Sequence, residues 1–257
     1  MKKVAIIIGA ILVAFLGFVT YSMQKKESAI IPIRDYEEMK ALADAKDVSA
    51  YDENTVISGN ADNGNISDHI KGDPSAPITI YEYADFQCDY CALYNPTVKE
   101  ILEEFDGQIR IVYRNYLLSY HVNGTAAATA AEAAANQGLW EEMGDLLFEN
   151  YTTWRYLGSL ERIDKFTELF QTAYENAVAA GRTDVTNDVD QFLADLEDDA
   201  IAEKISFDMA LGTKAEISGT PSFYLNGELI DLSAEDDVKS SLRSAIKAAI
   251  RAQSSAE

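Results

Sequence analysis

Two cysteines separated by two residues are the groups in this sequence best suited to chemistry. Cys88 and Cys91 are the only cysteines among the 257 residues, and Asp89 and Tyr90 lie between them. A cysteine thiolate is a strong nucleophile, and a pair of thiols at this spacing can alternate between a dithiol and a disulfide. The pattern therefore predicts thiol–disulfide exchange at Cys88 and Cys91.

The segments on either side of the cysteines predict how they are positioned. Residues 78–83 are β-branched or aromatic at most positions, which is typical of a strand. After the cysteines, apolar residues recur at helical spacing, at Val98, Ile101, Leu102 and Phe105. The pair is thus expected at a helix N-terminus, where unpaired backbone N–H groups and the helix dipole stabilise a thiolate.

Two other uses of the cysteines fit their spacing less well. A disulfide across two residues removes little chain entropy, so it makes a poor structural crosslink. A zinc site would need further ligands, and His69 and His121 are the only histidines available. Their spacing from the cysteines matches no usual zinc motif. We therefore expect neither a metal nor another cofactor.

The N-terminal 26 residues predict a membrane anchor. Residues 4–23 contain no charged side chain, and a helix of about 20 residues spans the ~30 Å core of a bilayer. A cleaved signal peptide is the alternative, but no small-residue cleavage site follows the apolar run. Lysines flank both ends, so charge alone leaves the orientation open. A single-pass anchor with the catalytic domain outside the cytoplasm is the expectation, since disulfides persist there.

The charge balance excludes one large class of partners. The chain carries 43 acidic and 21 basic residues, for a formal net charge of −22. Such a charge repels phosphate backbones, so nucleic-acid binding is excluded as the main role.

The remaining chain divides into a tether, a domain and a tail. Residues 27–70 are mainly polar and small and predict a flexible tether, with one short helix over Asp35–Lys46. The folded domain is expected over residues 71–251, with a helical insertion at about 122–212, and the tail over residues 252–257.

A second motif precedes the C-terminal strands. It is the run Ser218-Gly219-Thr220-Pro221-Ser222-Phe223, which leads into a predicted strand at 222–225. Asn226-Gly227 is a strong hairpin signal, and residues 228–230 form the return strand. A final helix is expected to end near Arg251.

Together with Asp85-Phe86-Gln87-Cys88-x-x-Cys91, this second motif resembles the DsbA-type thiol-disulfide oxidoreductases of the thioredoxin-fold superfamily. The similarity covers about residues 70–251. It implies an α/β, thioredoxin-like fold with a large helical insertion, here preceded by an N-terminal transmembrane helix.

The resemblance also implies catalytic roles. Cys88 corresponds to the exposed nucleophile and Cys91 to the buried resolving thiol. Pro221 corresponds to a cis-proline that faces the cysteines, and the preceding Thr220 would pair its backbone with an extended substrate. Glu82 corresponds to a buried acid that exchanges a proton with Cys91. A solvent-facing position on an edge strand is the alternative for Glu82.

Three neighbours of the cysteines are further candidates for a role in the site. Phe86 and Tyr90 flank the sulfurs and are candidates for the substrate groove, although ordinary packing is an equal alternative for each. Asp89 is expected to tune the redox chemistry, because a carboxylate beside Cys88 disfavours the thiolate. The best-known oxidants have proline and histidine at the positions of Asp89 and Tyr90.

The predicted function is therefore a thiol-disulfide oxidoreductase outside the cytoplasm. The resemblance implies that it passes the Cys88–Cys91 disulfide to thiols of exported proteins and is reoxidised by a quinone-linked membrane partner. A reductase or isomerase that uses the same site, and a non-catalytic module that binds extended peptides, are the alternatives.

Overall fold

The domain is built on a five-stranded sheet. We describe it from a computed structural model, in which residues 33–233 and 237–255 are described. The strand order is β1-β3-β2-β4-β5, with the bounds His69–Gly72 (β1), Ile78–Ala84 (β2), Ile109–Asn115 (β3), Ser222–Leu225 (β4) and Glu228–Leu229 (β5). The predicted anchor at residues 4–23 lies outside the described residues. Within them, no helix has the length and apolar character needed to span a bilayer.

The centre of the sheet is a β-α-β unit. β2 and β3 are parallel, in a register that runs from Ile78 opposite Ile109 to Ala84 opposite Asn115. Helix α2 (Asp89–Glu104) connects them, as the sequence predicts. Both strands are almost wholly buried because helices cover one face and further aromatic and aliphatic side chains the other.

The face of the sheet that carries Ile80 and Ile111 packs against two helices. These are α2, through Val98 and Ile101, and the C-terminal helix α9 (Val238–Ser254). Burial of these aliphatic side chains holds α2 against the strand that precedes it, which fixes the direction of its N-terminus.

The predicted insertion is helical. The helices between β3 and β4 are α3 (Gly124–Ala135), α4 (Trp140–Glu149), α5 (Tyr151–Trp154), α6 (Ser159–Ala179), α7 (Val189–Asp195) and α8 (Asp199–Lys214). α3 is buried along nearly its whole length, because its alanines allow neighbouring helices to approach closely.

The prediction of a flexible tether over residues 27–70 is wrong for residues 33–70. Helix α1 (Tyr36–Asp44) begins with a capping box between Asp35 and Glu38, within the predicted Asp35–Lys46. Farther along, Val48 and Ile57 pack against α8. Four apolar residues of this segment, Met39, Ala43, Val48 and Ile57, are buried although its overall composition is polar, and composition alone therefore gives the wrong prediction.

A buried arginine joins this segment to the sheet. The Arg114 side chain on β3 is fully buried and pairs with Asp68 through two hydrogen bonds of 3.0 and 2.9 Å. It also donates to the carbonyl of Thr55 at 2.9 Å and to the Tyr83 hydroxyl at 2.9 Å. The guanidinium thus satisfies backbone groups of a segment that has little regular structure of its own.

This arrangement makes Arg114 important for stability. We expect Arg114→Met to lower the free energy of unfolding by about 3–5 kcal/mol, because the Asp68 carboxylate is left buried without a counter-charge and keeps only the backbone N–H of Ile57 as a donor. Urea unfolding measures the loss. The double variant Arg114→Met/Asp68→Asn should lose less than the sum of the two single variants, and strictly additive losses would contradict this account.

Candidate active site

The two cysteines lie at the N-terminus of α2. Cys88 is the N-cap residue, with extended backbone angles, and Cys91 lies in the first turn. Both are free thiols and both are buried, so Cys88 is less exposed than the resemblance implies, although it is more exposed than Cys91. The pKa of Cys88 is lowered to about 6, first by a hydrogen bond from Cys91 and also by backbone N–H groups of Tyr90 and Cys91, although burial opposes the shift. The helix N-terminus therefore stabilises the Cys88 thiolate, as the sequence predicts.

The pKa of Cys91 is shifted in the opposite direction. Its side chain is only 1% exposed, and burial raises its pKa well above the ordinary value, with further contributions from Cys88 and Glu82. At neutral pH the pair thus consists of one thiolate and one thiol. This asymmetry suits Cys88 as the nucleophile and Cys91 as the resolving thiol.

The loop before β4 faces the nucleophile. The Thr220–Pro221 peptide bond is cis, which confirms that prediction. The Thr220 carbonyl oxygen lies 3.2 Å from the Cys88 sulfur and accepts a hydrogen bond from the thiol. The Thr220 hydroxyl is buried and has no partner among the described residues in this thiol form. It can donate to the sulfur once the thiolate forms, which contributes to the low pKa of Cys88.

Glu82 is a buried acid, as the resemblance implies. It lies on β2, between β3 and β4, so the edge-strand alternative is excluded. Its side chain is 3% exposed, and its Oε2 atom has no hydrogen-bond partner among the described residues. Burial raises the pKa of Glu82, and this shift favours its protonated form and makes it a better proton acceptor when it is ionised.

Lys71 is a neighbour of Glu82 that the sequence analysis missed. It lies on the short edge strand β1, is itself buried, and opposes the upward shift of the Glu82 pKa. Its ammonium group lies 5.8 Å from the centre of the Tyr113 ring and 5.6 Å from that of Trp140. The only signal in the sequence is a lysine within a four-residue strand, which is too short to stand out from a polar segment.

Phe86 does not line a substrate groove, so that prediction is wrong. The side chain is 1% exposed, and its ring stacks on Tyr113 at 5.3 Å and contacts Phe148 at 4.9 Å. A glycine on α4 provides the space: a Cβ atom at Gly144 would lie 3.3 Å from the Phe86 ring. Phe86 is therefore a core residue that anchors the active-site turn to the insertion.

Exposed apolar side chains nevertheless lie on the segments that form or contact the active-site turn. Tyr90 and Leu93 lie on the first turns of α2, and the others belong to loops that bond to the active-site turn. We call this set the apolar rim; it comprises Tyr90, Leu93, Tyr120, Val122 and Tyr156. Exposed apolar groups that adjoin a reactive site indicate a binding surface.

Asp89 is largely neutralised by an arginine from the insertion. Its carboxylate is exposed, and Oδ1 lies 2.8 Å from Nη1 of Arg155. The guanidinium is held in turn between the rings of Tyr151 and Tyr156, at 4.6 and 4.8 Å from their centres. From the sequence, the Asp89 carboxylate is expected to disfavour the Cys88 thiolate. That prediction did not include Arg155, which lies far away in the chain.

The two histidines do not complete a zinc site. His69 lies 2.8 Å from a Glu132 oxygen, and His121 lies 2.8 Å from an Asp85 oxygen. In the described part of the chain, no cluster of three or more histidine, cysteine or acidic side chains is arranged to hold a metal.

The fold and the paired cysteines at a helix N-terminus are those of a thioredoxin-like domain. A family model described as thioredoxin matches residues 64–248, and the chain belongs to that family. A curated relative, the Na(+)/H(+) antiporter NhaA 1 of Salinispora arenicola (strain CNS-205), is 36% identical over 164 residues. The matched region covers 62% of this chain and 22% of the relative, so the chain spans about a fifth of the length of that protein.

Solved structures show the same fold. A thioredoxin-like oxidoreductase from Silicibacter pomeroyi DSS-3 is 25% identical, with a TM-score of 0.51 over 72% of this chain and 92% of that one. A cysteine-substituted variant of alpha-DsbA1 from Wolbachia pipientis is 24% identical, with a TM-score of 0.52 over 70% of this chain and 88% of that one. The fold is therefore similar to that of DsbA structures.

Removing either charge of the Asp89–Arg155 pair should change the Cys88 pKa and the reduction potential, in opposite directions for the two residues. Arg155→Gln leaves the Asp89 carboxylate unopposed, so it should raise the Cys88 pKa and make the reduction potential more negative by about 10–20 mV, as expected for an exposed ion pair. Asp89→Asn leaves the arginine unpaired and should shift both quantities in the other direction. Thiol alkylation against pH and equilibration with glutathione measure the two quantities.

The double variant Asp89→Asn/Arg155→Gln is the matched control. It removes both charges and should return the pKa and the potential close to the values of the unmodified protein. If neither single variant changes either quantity, the charges of this pair do not act on Cys88.

Proposed function

We propose that this protein is a membrane-anchored thiol-disulfide oxidoreductase that acts outside the cytoplasm and passes the Cys88–Cys91 disulfide to cysteines of exported proteins. The observation that supports this most is the pKa of Cys88, lowered to about 6. The contacts that stabilise the thiolate exist only in the reduced protein. They favour reduction of the Cys88–Cys91 disulfide and therefore oxidation of the substrate.

The proposed reaction proceeds in two exchanges. A substrate thiolate attacks the sulfur of Cys88, the Cys88–Cys91 bond breaks, and Cys91 leaves as a thiolate that takes a proton from Glu82. A second substrate thiolate then attacks the substrate sulfur of the mixed disulfide, and Cys88 leaves as the stabilised thiolate. The substrate loses two electrons and gains a disulfide, and the cysteine pair gains the two electrons.

Substrate binding is proposed to use the cis-proline loop and the apolar rim. The backbone of Thr220 adjoins Cys88 and can pair with an extended chain, which would hold a substrate cysteine in line with the sulfur. Tyr90 would contact the side chains of that chain. Extended, apolar segments are typical of proteins that are not yet folded, so newly exported chains are the proposed substrates.

The membrane location rests on residues 4–23, which carry no charged side chain. An uncleaved anchor there would keep the domain at the membrane surface. Reoxidation by a quinone-linked membrane protein is proposed because each turnover leaves the cysteines reduced, so a source of oxidant is needed.

A reductase or isomerase is the second candidate. A pKa of about 6 lies above the value of about 3.5 in the strongest oxidant of this type, so the driving force for oxidation is smaller here. A non-catalytic peptide-binding module is the third, and it requires no role for either thiol.

Trapping of mixed disulfides tests the proposal. In its own cells, Cys91→Ser should accumulate disulfide-linked adducts with exported proteins: the Cys88 thiolate attacks a disulfide of the exported protein and releases one of its thiolates, and no Cys91 thiol remains to displace the adduct. Acid quenching followed by non-reducing electrophoresis reveals the adducts. Cys88→Ser should form none and should lose all exchange activity.

The unmodified protein in the same cells reports the direction of electron flow. An oxidase keeps its cysteines mainly as the disulfide, whereas a mainly reduced pair would favour the reductase or isomerase.

Labelling of intact cells with a membrane-impermeant thiol reagent after mild reduction should modify Cys88, and protection from the reagent would contradict the proposed location. Adducts formed through Cys91 would reverse the assignment of the nucleophile.

A further inference from the structure

A histidine from outside the motif is bonded to the active-site turn. Nδ1 of His121, in the loop after β3, lies 2.8 Å from Oδ2 of Asp85. Asp85 follows the last residue of β2, and its carbonyl oxygen accepts a hydrogen bond from the Cys88 backbone N–H at 2.9 Å. One residue, Asp85, therefore links the imidazole of His121 to the residue that carries the nucleophile.

The Asp85 carboxylate is held firmly in this position. It is 1% exposed, and it accepts backbone hydrogen bonds from Gln87 at 2.8 Å and from Leu118 at 3.0 Å. A Cβ atom at Gly124 would come within 2.9 Å of it, so the glycine is needed for the close approach of α3. With no cation nearby, this buried negative charge would oppose a thiolate on Cys88.

His121 is suited to balance that charge. Its side chain is 13% exposed, and Nε2 makes no hydrogen bond within the described residues. Burial lowers the pKa of His121, but the hydrogen bond and charge of Asp85 and the charge of Cys88 outweigh it, so that the pKa lies above the ordinary value. The ring of Tyr120 also contacts the imidazole, at 4.6 Å between centres.

We propose that His121 is a positioning residue for the nucleophile: held by Asp85 as an imidazolium, it supplies the positive charge that Asp89 and Tyr90 do not, and so stabilises the Cys88 thiolate. This role rests on the proposed exchange activity. Between the Cys88 pKa of about 6 and the raised pKa of His121, thiolate and imidazolium are present together. At higher pH the imidazole is neutral and this contribution is lost.

The same coupling must act in both directions. If the imidazolium stabilises the thiolate, the thiolate raises the pKa of His121 by the same free energy. Formation of the Cys88–Cys91 disulfide removes the negative charge, so the His121 pKa should be lower in the oxidised protein. A purely structural hydrogen bond between His121 and Asp85 would not respond to the redox state in this way.

The chain contains its own control, because it has two histidines. His69 makes the same kind of contact, with Glu132 at 2.8 Å. Its ring stacks on Trp140 at 4.3 Å, however, and no cysteine is among its contacts in the described residues.

Two measurements on the full chain in detergent test the role. The first is the rate of Cys88 alkylation against pH, in the unmodified protein, His121→Gln and His69→Gln. Glutamine can still donate a hydrogen bond to the carboxylate but cannot carry the charge. We expect His121→Gln to move the midpoint of the alkylation curve to higher pH by about half a pKa unit. At a pH below that midpoint, the fraction of Cys88 present as thiolate should fall about threefold. His69→Gln should leave the midpoint unchanged.

The second measurement needs no substitution of His121. Proton NMR follows the titration of the His121 imidazole in the reduced and oxidised forms, and His121 should titrate at lower pH in the oxidised form. The inference is overturned if His121 titrates alike in both forms, or if His121→Gln folds and leaves the Cys88 midpoint unchanged. If the protein catalyses exchange but the titration of His121 does not depend on the redox state of the cysteines, only this inference is rejected. If the titration depends on the redox state but the protein catalyses no exchange, only the proposed function is rejected.

Discussion

Stabilisation of a negative charge on the Cys88 sulfur is the interaction on which the rest of the site depends. The charge lies at the N-terminus of α2 and receives hydrogen bonds from Cys91 and from backbone N–H groups of the first turn. These donors are in place because α2 packs against the sheet and against α9 through buried aliphatic side chains. Packing of the core therefore determines the reactivity of both cysteines. It directs the N-terminus of α2 at the Cys88 sulfur and leaves the Cys91 sulfur in an apolar environment.

Burial sets the proton affinities of Cys91 and Glu82, the other two ionisable groups of the exchange site. Cys91 and Glu82 are both removed from water, and burial raises the pKa of each. An acid and a thiol with raised pKa values are matched for proton transfer, whereas an exposed carboxylate would be too weak a base. Lys71 limits the shift of Glu82 without restoring full solvation, since it is itself enclosed by Tyr113 and Trp140.

Local patterns allowed much of this arrangement to be predicted from the sequence. The strand before Cys88, the helix after it and the Asn226-Gly227 hairpin each have a strong short-range signal, and the Thr220–Pro221 motif indicated the loop that meets the cysteines. Contacts between distant segments were not predictable. Three features depend on which surfaces meet in the folded chain: the position of Lys71, the pairing of Asp89 with Arg155, and the packing of residues 33–70. Phe86 is buried because a glycine far away in the sequence leaves space for its ring.

The pH dependence of the reduction potential tests the central claim most directly. Reduction of the disulfide takes up two protons below the Cys88 pKa of about 6 and one above it. The potential should therefore fall by about 59 mV per pH unit below this pKa and by about 30 mV above it, as two-electron chemistry requires. A break in slope near the Cys88 pKa of about 6 would support a thiolate stabilised by the fold. A single slope of about 59 mV up to about pH 8 would place Cys88 near its free value of about 8.5 and contradict the account.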